Sequence, residues 1–67
     1  MTVKGIEQLK AIVRGSDFRE RVKTYELRVK SWPSDAGWLD MIRLALEDIS
    51  PDNIFCLNVA YAIEYTG

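Results

Sequence analysis

The sequence predicts a small α+β domain in the order α-β-α-β, with a two-stranded sheet that dimerisation could extend. Three observations carry that reading. Residues 53–65 alternate large apolar side chains at odd positions (Phe55, Leu57, Val59, Tyr61, Ile63, Tyr65) with smaller or polar ones at even positions (Cys56, Asn58, Ala60, Ala62, Glu64), the period of a half-buried strand. Within residues 17–32, Tyr25, Leu27 and Val29 alternate with Thr24, Glu26, Arg28 and Lys30 in the same way. Two helical patterns, at 3–14 and 34–49, precede and separate these segments.

Residues 3–14 read as a helix because Ile6, Leu9, Ile12 and Val13 recur three or four apart among Lys4, Glu7, Lys10 and Arg14. Gly15 is placed to stop it, and Arg14 complements the negative end of its dipole. Residues 17–32 fit two windings. As a helix, Phe18, Val22, Tyr25, Val29 and Trp32 form a 4-3-4-3 stripe, Asp17 and Glu20 make a capping box, and only Leu27 falls on the wrong face. Local pattern slightly favours that helix. The strand is preferred because a strand at 53–65 needs a hydrogen-bonding partner, and no other segment offers one.

Residues 34–49 read as a helix capped by Ser34 or Asp35, with Leu39, Ile42, Leu46 and Ile49 as its stripe, widened by Trp38 and Ala45. Gly37 suggests that its regular part starts at Trp38, and Ser50-Pro51 stops it. Wound as a helix, residues 53–65 would be apolar all round, which a chain this small could hardly cover. Against the strand stands Ser50-Pro51-Asp52, a good helix start. If 53–65 is helical, 17–32 changes with it, and the alternative fold is an all-α four-helix bundle.

Sixty-seven residues make one small domain. Such a chain buries about 60% of its unfolded surface, and its own core supplies roughly 3–5 kcal/mol. A single cysteine, Cys56, and no histidine exclude an internal disulfide and a Cys/His zinc site. Association is the remaining source of stability, and two strands with open edges point to a homodimer. No apolar run is long enough to span a membrane, and the first residues lack the apolar core of a signal peptide. With the lone thiol, this places the chain in a reducing cytoplasm.

Catalytic constellations are missing. There is no histidine to serve as a general base near neutral pH, and Cys56 sits in Ile-Phe-Cys-Leu with nothing basic beside it, as a buried core thiol does. The four glycines, Gly5, Gly15, Gly37 and Gly67, are isolated, and no phosphate-binding or calcium-binding motif occurs. No enzyme activity, cofactor or metal is expected.

Charge is sorted along the chain. Residues 1–31 carry eight cations against four anions, a net of +4, and residues 32–67 carry one cation against six anions, a net of −5. Such polarity steers partners. The leading expectation is a non-catalytic protein-interaction module that occludes a larger partner, itself basic and nucleic-acid-binding in one version. Short regulators and inhibitors have this make-up, phage-encoded inhibitors of host defence among them. Its anchors would be Trp32, Trp38, Tyr61 and Tyr65, with Asp40, Glu47 and Asp48 as steering charges. The plainer reading has the tryptophans capping the core edge, the acids lying on a solvated face, and the acidic half packing on the basic half of the same chain. The alternative is a nucleic-acid binder using Arg19, Arg21, Lys23, Arg28 and Lys30, interleaved with Phe18, Tyr25 and Trp32.

Overall fold

The computed structural model describes residues 3–65; Gly67, the last of the isolated glycines, lies outside them. The chain forms four helices: α1 (Val3–Arg14), α2 (Phe18–Lys30), α3 (Ala36–Glu47) and α4 (Ile54–Tyr65). No strand occurs among the described residues. The α+β expectation is therefore wrong at both strands, and the four-helix alternative is right.

The correction has a physical cause at each segment. A helix satisfies its backbone donors and acceptors within itself, whereas each strand needed the other. In α2 the 4-3-4-3 stripe wins: Phe18, Val22, Tyr25 and Val29 are buried on one face, and Leu27, the residue that did not fit the helix, is 68% exposed. Asp17 occupies the N-cap position of α2, but its side chain makes no capping hydrogen bond.

In α4 the start signal outweighs the two-residue alternation. Asn53, which the strand reading made a strand residue, is the N-cap: its Oδ1 accepts from the Phe55 backbone N–H at 3.0 Å. Its Nδ2 donates to the carbonyls of Asp48 (2.7 Å) and Leu44 (3.3 Å), so one side chain closes the end of α3 and opens α4. Ser50 and Pro51 shape the turn between, where the Ser50 hydroxyl accepts from the Asp52 N–H at 3.1 Å.

The two expected helices stand. α1 keeps its expected limits, and the Gly15 N–H donates to the Ile12 carbonyl at 3.1 Å. Gly15 has no positive φ. What it supplies is room, since a Cβ there would sit 3.2 Å from the Ile12 carbonyl oxygen. α3 begins at Ala36, not Trp38, and Gly37 lies within it. Between α2 and α3 the chain reverses through Pro33-Ser34, with Ser34 at φ 67° in the left-handed region.

α4 packs against all three other helices, while α1 and α3 do not touch each other. Its core-facing residues are small: Cys56, Val59, Ala60 and Ala62. Small side chains let neighbouring helices approach closely, and α4 has three of them. The strand reading put the larger odd-numbered residues on one apolar face, with Tyr61 and Tyr65 either core or an exposed strip; of that set the helix fully buries only Val59. The core is completed by Leu9 and Val13 of α1, the α2 stripe, and Ile42 and Ala45 of α3.

Candidate functional site

Three neighbours do not cover a helix that is apolar all round. Ile54, Asn58, Tyr61 and Tyr65 recur at i, i+4, i+7 and i+11, which is one face of α4. That face is the one left open: Ile54 is 59%, Tyr61 45% and Tyr65 56% exposed. Ile63, on the opposite side of α4, faces α2 and helps line a groove there.

Grooves border the ridge on both sides. Between α3 and α4 an open groove of about 360 Å³ is lined by Trp38, Met41, Asn58, Tyr61 and Ala62. Between α1 and α4 a smaller one of about 90 Å³ is lined by Gly5, Leu9, Tyr61 and Tyr65. Tyr61 belongs to both. The Tyr61 and Tyr65 rings lie 5.0 Å apart, and the Tyr65 hydroxyl reaches Gln8 Oε1 of α1 at 3.5 Å.

Leu44 of α3 extends this surface. It is 39% exposed, follows Met41 by one turn on the α4 side, and its carbonyl accepts from Asn53. Asp40, Glu47 and Asp48 stand around it at i−4, i+3 and i+4, all exposed. Asp40 pairs with Arg43 at 3.1 Å. Glu47, Asp48 and Asp52 take part in no ion pair among the described residues, so they leave a negative rim around apolar anchors.

The expected anchors are not all brought together. Tyr61, Tyr65 and Trp38 share the α3–α4 surface. Trp32 does not: its ring stands edge-on to Tyr25 at 5.9 Å, and Trp38 also meets Tyr25 edge-on at 6.2 Å. Both tryptophans thus pack on Tyr25 at the core edge. Ile54, Met41 and Leu44 were missed as surface anchors. Helical spacing would have found Ile54, and Leu44 could have been read as the apolar residue lying off the α3 stripe.

Winding residues 18–30 as a helix also divides the basic run. Arg19, Lys23 and Lys30 fall on one flank, and Arg21 and Arg28, seven apart, on another. The second flank, with Asp17, Glu20, Thr24 and Ile63, lines a groove of about 290 Å³ facing α4. There Arg21 donates to Glu64 Oε2 at 2.8 Å, the one ion pair among the described residues that joins the basic and acidic halves. The Lys10–Glu7 and Arg43–Asp40 pairs each lie within a half. Of the three aromatic residues of the run, Phe18 and Tyr25 are buried, and Trp32 is 37% exposed with its ring edge-on to Tyr25.

Cys56 is buried at the α3–α4 contact, where its thiol donates to the carbonyls of Ala45 (3.2 Å) and Asp48 (3.4 Å). Burial raises its pKa above the ordinary thiol value, and the nearby Asp48 charge adds to the rise against an opposing backbone hydrogen bond at Ser50. A thiol held protonated in this way is a packing group. Among the described residues no cluster of His, Cys, Asp and Glu is placed to hold a metal ion, and no helix is long and apolar enough to cross a membrane. No family model, curated protein or solved structure matches this chain.

Proposed function

We propose that this chain is a protein-interaction module and that the α3–α4 surface is its docking face. One observation carries the reading: α4 leaves Ile54, Tyr61 and Tyr65 uncovered along one face, and Glu47, Asp48 and Asp52, with no ion-pair partner among the described residues, lie at its Ile54 end near Leu44. A contiguous apolar patch with a charged border is the usual mark of a binding surface. Tyrosines are favoured anchors because they bury a large area with few rotatable bonds. The rim selects a partner that presents cations around an apolar centre, and it speeds their encounter.

Such a module acts by occupying a surface of a larger protein, as a small regulator or inhibitor, and carries out no chemistry of its own. The phage-type inhibitor and the cytoplasmic setting expected from length and composition fit this role; the buried thiol suits a reducing compartment. Direct nucleic-acid binding gains less support, because α2 splits its cations between two flanks and buries two of the three candidate stacking rings, Phe18 and Tyr25.

The test is capture from cell extract on immobilised protein, wild type beside a Tyr61→Glu/Tyr65→Glu double variant. Both positions are exposed, so the variant is expected to keep its helical circular dichroism. Proteins retained by the wild type should be lost from the variant and should also be released by salt. Retention of the same proteins by both ends the reading.

A further inference from the structure

We infer that the chain has a partner of the required kind in itself: the outer face of α2 on a second copy fits the acidic α3–α4 surface, and the molecules associate head-to-tail. This rests on reading the α3–α4 surface as a docking face, and it names one occupant.

The fit lies in matched spacing with opposite charge. On α2, Leu27 is the most exposed large apolar residue of the described chain, at 68%. Lys23 stands four residues before it and Lys30 three residues after it. On α3, exposed Leu44 has Asp40 four residues before it and Glu47 three residues after it. On a helix these positions adjoin the leucine. Laid side by side, the helices bring Leu27 to Leu44 and place a lysine against an acid at both ends. Reversing one helix shifts the pairing by only about 1.5 Å.

The basic set is not spent internally; of the acidic set, Asp40 is shared with Arg43 at 3.1 Å and Glu47 is not. Lys23 and Lys30 enter no ion pair among the described residues, nor does Arg19 on the same flank, and Glu47 likewise has none. Apolar contact at the centre with opposite charges at the edge is the arrangement by which paired helices select each other.

The two patches point different ways. The buried stripe of α2 packs on α3 and α4, so Leu27 on its back points away from both. Leu44 lies on the α4 side of α3. A contact between unlike patches leaves one of each exposed on every pair, so it is heterologous and continues beyond the dimer. There is surface enough: a standard interface takes about 800 Å² per partner, against 4394 Å² for the molecule.

Sedimentation velocity over rising concentration, at low and high salt, tests this. The wild-type weight-average mass should climb from 7.7 kDa past twice that value and fall back when salt is added. Two variants break one face each: Lys23→Glu/Lys30→Glu on α2, and Leu44→Lys on α3. Each alone should remain a monomer with an unchanged helical spectrum. Mixed, they retain one intact basic face and one intact acidic face between them, so they should form one-to-one dimers and stop. A wild type that stays monomeric at millimolar concentration and low salt overturns the inference, as does a wild type that closes as a dimer. Variants that associate like the wild type, or a mixture that forms no dimer, overturn it as well. None of these results touches the docking reading, which falls only if the Tyr61/Tyr65 variant captures what the wild type captures.

Discussion

α2 and α4 are nearly equal in length and opposite in design. α2 puts four apolar residues, Phe18, Val22, Tyr25 and Val29, on a narrow buried stripe and surrounds them with charge, leaving one apolar residue, Leu27, outside. α4 carries a single charge, Glu64, is apolar on every side, and leaves Ile54, Tyr61 and Tyr65 in solvent. A narrow stripe names its own buried face. A helix without contrast has its buried face chosen by its neighbours, and here they took the small residues. The surplus apolar surface that results on α4 is the candidate docking face; on α2 it shrinks to one leucine.

Five substitutions probe this difference. The largest effect is expected at the α2 stripe. Phe18→Ala removes a fully buried ring, worth about 3–5 kcal/mol. That matches the whole stability expected of so small a core, so the variant should lose its cooperative thermal transition by circular dichroism. If it melts within a few degrees of wild type, the stripe does not hold the fold.

Next is the cap that defines α4. Asn53→Ala takes away the N-cap acceptor and the two donors to the end of α3, and is expected to cost about 1–2 kcal/mol in urea unfolding. No change would mean that neighbours alone fix where α4 begins. A smaller loss, under about 1 kcal/mol, is expected for Arg21→Met, because the Arg21–Glu64 pair is only partly buried and solvent screens it. The smallest effect is expected at the surplus residues. Leu27→Lys and Ile54→Lys should each stay within about 0.5 kcal/mol of wild type. A large loss at Ile54 alone would show that the outer face of α4 is covered in solution.

Legibility followed the same contrast. The helices at 3–14 and in the 34–49 region were readable because charged residues separate their apolar positions at helical spacing. The α2 stripe is readable too, with Leu27 as its one misfit. The error entered through 53–65, where near-continuous apolarity satisfies a period of two and of 3.6 alike, and it spread to 17–32 through the need for a strand partner. Ser50-Pro51-Asp52 is legible as a helix start, but Asn53, the residue that caps α4, reads equally as the first residue of the alternating segment.

For the surface, Tyr61, Tyr65, Asp40, Glu47 and Asp48 were legible as residue types suited to an interface. Their grouping was not. Of the two tryptophans, both of which pack on Tyr25, only Trp38 also borders the tyrosines, and Ile54 and Leu44 join them only once α3 and α4 lie side by side.

The order of amino acids by itself determined where charge and apolar contrast are high: α1, the α3 stripe, the inward face of α2, and the separation of positive from negative halves. It did so because local periodicity and formal charge need no knowledge of distant neighbours. Tertiary structure alone decided that α4 is turned with its small side chains inward, and so which large ones are left in water. That choice depends on how closely three other helices can approach one axis, a property of packing that no single segment contains.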